Sequence, residues 1–356
     1  MSDQNTPYLK NTWYVAALST ELDKDLLSRV LLDTKIVFYR KEDGTPVALL
    51  DRCPHRFAPL SMGKQCGNDV VCPYHGLAFN SEGNCTSNPH GNKRIPTKAK
   101  VPSFPLMEKH GFIWIWMGDE VADENQLPDY TTLDTGHNNA IAYTYMKWPC
   151  HYELIIDNVM DLSHVDHLHG EIITTRGQLS PQIPKLEENA GQLAASWEWK
   201  QTPPMLIFND FLPEPGKEAS HRVTVTWAKP ANIQLSIGCS QGNQPITFES
   251  EESVSQYDLH VCTPESENST HYFFVTRRNH HVEDAEYNQI KIQNMHAAFE
   301  LEDGPILNAV EEAMETPDFL SLDPVLISSD AAPVRVRRTL KALIEEEHKT
   351  KLTLAS

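Results

Sequence analysis

Basic residues are few: 30 Lys and Arg stand against 49 Asp and Glu, a net charge of −19. Binding to nucleic acid or an anionic membrane needs a basic surface, so the balance argues against both partners. Long apolar runs are missing as well. The longest candidate, Phe112 to Met117, is far short of the roughly 20 residues that span a bilayer. The amino-terminal stretch MSDQNTPYLKNTW has neither the basic nor the apolar region of a secretory signal, and the expectation is a cytoplasmic enzyme. There is no glycine-rich phosphate loop, which removes NAD(P)H and flavin as ligands of this chain. Internal repeats and low-complexity tracts are also absent. The seven cysteines are an odd number and make no disulfide framework, which fits a reducing compartment. Cys66, Cys85, Cys150, Cys239 and Cys262 are expected to be small packing residues.

The other two cysteines belong to the most informative stretch. Cys53-Pro54-His55 and Cys72-Pro73-Tyr74-His75 are two short ligand pairs with sixteen residues between them. Each pair offers one thiolate and one imidazole. Two such loops suit a [2Fe-2S] cluster with cysteines on one iron and histidines on the other, the Rieske arrangement, which relays single electrons at roughly −150 to +300 mV. Two cysteines and two histidines also suit tetrahedral zinc, although zinc pairs normally run Cys-x2-4-Cys and His-x3-5-His. Around the pairs the pattern is β-rich. Arg29-Val-Leu-Leu-Asp, Ile36-Val-Phe-Tyr-Arg and Val47-Ala-Leu-Leu read as strands, Glu42-Asp43-Gly44 as a hairpin turn, and Gly111-Phe-Ile-Trp-Ile-Trp-Met-Gly as a buried strand. His90 is expected in a loop, held by a structural hydrogen bond.

Residues 118 to 140 read as a linker. The segment from Tyr152 to Gly170 then places Leu154, Ile155, Val159 and Leu162 at helical spacing, beside a polar stripe of Asn158, Asp161 and His164. His164, His167 and His169 together suggest a metal. Helix geometry pairs His164 with His167, whereas pairing His164 with His169 requires the helix to unwind or end between them; Gly170 is compatible with an end there. Strands are expected around Trp197, Val225, Leu235, Val261 and Phe273, alternating apolar and polar as in an antiparallel sheet with one covered face. Helices close the chain from Leu307 to Met314 and from Val334 to Glu347. Two histidines and one carboxylate leave open positions on Fe(II). Asp303 is a candidate for the carboxylate, with Glu300 and Glu302 as competitors.

These motifs resemble the oxygenase (alpha) components of the Rieske non-haem iron oxygenases. Their Cys-x-His, Cys-x-x-His and Asp-x2-His-x4-His patterns match Cys53, His55, Cys72, His75, Asp161, His164 and His169. The resemblance extends from Asn11-Thr-Trp-Tyr through Asn88-Pro-His-Gly-Asn to Asn158-Val-Met-Asp-Leu and is strongest with the dicamba monooxygenase and vanillate O-demethylase group. It implies an α+β chain: an all-β Rieske domain over 1–125, then a catalytic domain over 126–356 with an antiparallel sheet covered by helices. It also implies one [2Fe-2S] cluster, one mononuclear Fe(II) on His164, His169 and Asp303, and electrons from a separate ferredoxin or flavin reductase using NAD(P)H. In a ring-shaped homotrimer Asp161 would connect His75 to His164 between subunits, with Asn158 beside it in the catalytic set. The implied reaction is O-demethylation of a methoxylated aromatic acid with release of formaldehyde. Ring hydroxylation is the alternative, and a pure electron-transfer protein a further one. His260 corresponds to a substrate-carboxylate histidine of this group, with Gln234 and Asn294 at the two companion positions.

Overall fold

The computed structural model describes residues 6–23, 25–169 and 173–355, the last two as backbone. Packing divides the chain into two units. One is Lys10–Asp129 with Thr263–Ser266; the other is Tyr130–Cys262 and Glu267–Ser356, together with the chain up to Leu9.

The first unit is all β. Its strands are β1 (Trp13–Leu18), β2 (Leu27–Leu31), β3 (Thr34–Arg40), β4 (Pro46–Leu50), β5 (Lys64–Cys66), β6 (Asp69–Val71), β7 (Ala78–Phe79), β8 (Cys85–Ser87), β9 (Ser103–Phe104), β10 (Leu106–Lys109) and β11 (Phe112–Trp116). They form three sheets, ordered β1-β11-β10, β2-β3-β4-β9 and β5-β6-β7-β8. β11 reads FIWIW and is buried throughout, as expected of a strand covered on both faces. Gly44, at φ 85°, closes the β3–β4 hairpin, and its N–H donates to the Lys41 carbonyl at 2.9 Å. Val37, Leu49, Leu60, Val70 and Phe79 build a core that also buries Cys53 and Cys72. Cys66, expected to pack, is exposed instead, because it sits where the tight β5–β6 turn begins.

The second unit is built on a seven-stranded sheet of β12 (Ile141–Trp148), β13 (Lys185–Asn189), β14 (Gln192–Thr202), β15 (Ala219–Ala228), β16 (Asn232–Ser240), β17 (Val254–Ser266) and β18 (Ser269–Arg278), in the order β12-β18-β17-β16-β15-β14-β13. In β14, Leu193, Ala195, Trp197 and Trp199 are buried while alternate residues are not, the period-two pattern of a half-covered sheet. The helices are α1 (Tyr152–Met160), α2 (Val165–Leu168), α3 (Leu206–Asn209), α4 (Ala285–Ala298), α5 (Gly304–Ala313) and α6 (Ala331–Ala355). α6 fixes α1 through Arg337, whose guanidinium pairs with Glu153 and Asp157, both at 2.7 Å. Among the described residues no helix is long and apolar enough to cross a membrane.

Candidate metal centres

Cys53 and Cys72 lead two loops with the same backbone scheme. In each, the cysteine N–H donates to the carbonyl five residues on, and the N–H four residues on donates back to the cysteine carbonyl: Ala58 and Phe57 in one loop, Leu77 and Gly76 in the other, at 2.8–3.0 Å. The residue at that fourth position has positive φ in both, 61° at Phe57 and 72° at Gly76. The matching turns present His55 and His75 side by side, with ring centroids 4.5 Å apart. Burial and the neighbouring Cys72 push the Cys53 thiol up to about 11, so ionising it calls for a bound cation. His75 Nδ1 is buried without a hydrogen-bond partner, an orphan donor-acceptor position that a ligated iron would satisfy. A single tetrahedral ion would draw all four donor atoms to within about 4 Å of one another. Among the described residues only His164, His169 and Asp303 bring three donors within 4.8 Å. The wider cysteine–histidine set therefore fits a two-iron cluster better than zinc. His90 is the loop residue expected, its Nε2 bonded to the His75 carbonyl at 2.7 Å.

The second centre begins where α1 stops. The continuous polar stripe expected from the sequence is broken, because Asp161 turns extended (φ −114°, ψ 93°) and starts a 3-10 turn, Leu162–His164. One Asp161 carboxylate oxygen accepts the Ser163 N–H at 2.9 Å, and this cap begins the new turn. α2 then ends at His169, so the helix interruption required to pair His164 with His169 is present. Gly170 lies outside the described residues. His167 turns elsewhere, to Ser180 Oγ at 3.1 Å.

Each histidine has its tautomer set by its Nδ1 partner. The Asp161 carbonyl can only accept, so His164 Nδ1 donates to it at 2.6 Å; His169 Nδ1 likewise donates to the Glu302 carboxylate. Both Nε2 atoms are left as bases, 3.6 Å and 3.1 Å from the Asp303 carboxylate. Ligands about 2.1 Å from one ion lie about 3 Å apart when adjacent, so the set fits a metal with three protein ligands on one face. Burial lowers the His164 pKa and keeps the ring neutral. Burial also works to lower His169, but Asp303 and Glu302 override it and raise its pKa, so a proton competes with a metal for its Nε2. Asn158 Nδ2 donates to Asp303 at 3.0 Å and orients it.

The choice of acid is made by helix geometry. Between α4 and α5 the chain makes a π-turn, Phe299–Asp303. Lys291, Met295 and Ala298 on α4 line the cavity, and an uninterrupted α-helix would bring Glu302, about three turns after Lys291, onto that face. The wider turn absorbs one residue and brings Asp303 there instead, 2% exposed, while Glu302 becomes the partner of His169. Single π-turns of this kind recur at functional sites. Glu300 lies outside the set, exposed and 3.6 Å from His296.

His164, His169 and Asp303 open onto a cavity of about 260 Å³ with mostly apolar walls, including Val159, Leu162, Leu235, Ile237 and Phe299. His260 lines it from β17. Its Nδ1 meets the Tyr272 hydroxyl at 2.5 Å, and its Nε2 has no hydrogen-bond partner. Burial lowers its pKa to about 3, so the ring is neutral. Asn294 also lines the cavity, but Gln234 does not. The pleat of β16 turns Leu235 and Ile237 inward, and Gln234 points the other way, its amide on Ser236 Oγ at 3.1 Å. Gln256, Asp258 and Lys291 are polar wall residues that the sequence reading passed over. The alternation of Gln256, Asp258 and His260 along β17 was the available signal.

Residues 148–346 match the vanillate O-demethylase oxygenase C-terminal domain, and residues 12–105 the Rieske [2Fe-2S] domain. The oxygenase component of chloroacetanilide N-alkylformylase from Rhizorhabdus wittichii (strain DC-6 / KACC 16600) is 33% identical, the match covering 98% of this chain and 99% of the relative. The oxygenase component of dicamba O-demethylase from Stenotrophomonas maltophilia is 34% identical over 96% of this chain and 99% of its own. A crystal structure of dicamba monooxygenase bound to 3,6-dichlorosalicylic acid superposes with a TM-score of 0.87 at 33% identity, covering 96% of this chain and 98% of that one. With two domains matched in order and relatives aligned along nearly their whole length, the chain belongs to the Rieske non-haem iron oxygenases, as an oxygenase component of the vanillate O-demethylase family with one [2Fe-2S] cluster and one mononuclear iron.

Proposed function

We propose that this chain is the terminal oxygenase of an aromatic O-demethylase. It takes O2, and electrons from a separate ferredoxin or NAD(P)H-dependent flavin reductase, and hydroxylates the methyl carbon of a methoxylated aromatic acid. One oxygen atom enters the C–H bond; the other leaves as water with two electrons and two protons. The resulting hemiacetal collapses to a phenol and formaldehyde. The observation that carries this reading is the His164, His169 and Asp303 set opening onto an apolar, ring-sized cavity. The relatives' activities, O-demethylation of dicamba in one and that of a chloroacetanilide N-alkylformylase in the other, support attack on a heteroatom-bound alkyl carbon.

Residue roles follow the geometry. Cys53, His55, Cys72 and His75 hold the cluster within residues 1–125; His164, His169 and Asp303 hold the iron within 126–356. When bound, the iron supplies activation of O2. Asn158 orients Asp303, Glu302 fixes the His169 tautomer, and the apolar wall excludes water from the reacting methyl group. His260, neutral and held by Tyr272, and Asn294 position the substrate. Assembly is a homotrimer in which Asp161 links His164 to the partner subunit's His75, and the location is cytoplasmic, in keeping with the free cysteines.

Two experiments test the reading. In a single turnover, protein reduced anaerobically is exposed to O2 with a panel of methoxylated and unmethoxylated aromatic acids. Formaldehyde with a matching phenol is expected; a ring diol without formaldehyde would move the chain to the ring hydroxylases. For Glu302→Gln, loss of the anionic Nδ1 partner is expected to weaken iron binding roughly 10- to 100-fold. Iron retention during dialysis against a graded chelator reads this, and retention equal to wild type would remove Glu302 from the iron site.

A further inference from the structure

Lys291 lies on α4 with 8% of its surface exposed, and its side chain forms part of the cavity wall. A buried ammonium is costly unless it is paired. Among the described residues no carboxylate lies within ion-pair distance of Lys291, and it makes no hydrogen bond. Asp258, on the same wall, favours the charged form of Lys291 from beyond ion-pair distance; its Oδ2 takes the Gln256 amide at 2.5 Å and its Oδ1 has no hydrogen-bond partner. We propose that Lys291 is the anchor for the substrate's anionic group, a carboxylate or sulfonate held at the end of the cavity remote from the iron ligands. The inference rests on the aromatic-acid reading above and identifies which residue recognises the acid.

Position supports the assignment. Lys291 precedes Asp303 by about three helical turns, roughly 18 Å along the axis, yet both line one cavity. An aromatic ring between them would present its methyl group to one end and its anion to the other. His260, by contrast, lies at the ligand end, its ring 5.7 Å from that of Phe299 in the π-turn. Burial pulls the Lys291 pKa down to about 8, so the ammonium remains the main form at neutral pH. The competing role, in which Lys291 only balances Asp258, needs no ligand and predicts no preference for charged substrates.

The test is anaerobic calorimetry on the holoenzyme with matched pairs, 3- or 4-methoxybenzoate against the corresponding methoxybenzamide. Wild type is expected to bind the better acid at least roughly 30-fold more tightly than its amide. Lys291→Met should bring the pair to within about 3-fold by weakening only the acid, and Lys291→Arg should keep the preference. Iron content and the visible cluster spectrum check that each variant is intact. Equal binding of acid and amide by wild type, no measurable binding of any acid, or a preference that survives in Lys291→Met would each overturn the proposal. Because calorimetry needs no turnover, a ring diol in the single-turnover experiment would defeat the demethylase reading while leaving the anchor standing.

Discussion

Asp303→Ala is expected to lose its mononuclear iron and all turnover while keeping the visible spectrum of the [2Fe-2S] cluster. Asp303 is the only anionic member of the three-donor set, and its carboxylate lies 3.1 Å and 3.6 Å from the two imidazole Nε2 atoms. Loss of a partner that merely orients a ligand costs about 10- to 100-fold in metal affinity, so loss of the charged ligand itself should cost at least ~100-fold. Total iron should fall by about one atom per chain, measured by elemental analysis beside the cluster absorbance. His55→Ala is the mirror control, expected to lose the cluster and keep the single iron. Full iron in the Asp303 variant would transfer the role to Glu302, which already touches His169 from the other side.

Asp161→Asn is expected to keep both centres and lose turnover by roughly 100-fold. The geometry makes this a clean removal of charge. Asparagine caps as well as aspartate does, so the bond to the Ser163 N–H can persist. His164 is held by the Asp161 backbone carbonyl, which the substitution leaves in place. What disappears is a carboxylate whose second oxygen is not used by the cap. Stopped-flow oxidation of the reduced cluster, with product quantified after one turnover, reads the effect. Turnover near wild type would remove Asp161 from the path between the centres.

Much of this arrangement was legible in the chain because it is written in short spacings. The mixed cysteine–histidine pairs, the alternation in β14 and β15 and the histidines after α1 each declare themselves within a few residues. Four features were not legible, for physical reasons. Asp303 is the favoured acid in the sequence, but the wider turn that carries it past Glu302 to the cavity is not visible there, since regular helical periodicity from Lys291 points to Glu302. The family resemblance puts Gln234 at the substrate, but the strand's period of two decides which side chain enters a cavity, and Leu235 and Ile237 occupy that face. Lys291 sits on a helix with little amphipathic contrast, since its inward face lines a partly polar cavity, and a lysine in such a helix reads as surface. The exposure of Cys66 reflects a turn too tight to cover it.

The π-turn also means that which acid faces the cavity depends on how the backbone winds between α4 and α5. The same residues from Phe299 to Asp303 wound as an uninterrupted α-helix would turn Glu302, one methylene longer, to the cavity in place of Asp303, whereas a chain one residue shorter ahead of Asp303 would keep the aspartate there without the wide turn. Gap-free comparison along α4 and α5 would then pair non-equivalent acids between two such chains. In this chain the wide turn directly before Gly304-Pro305, rather than the acidity of any one position, decides which acid enters the cavity.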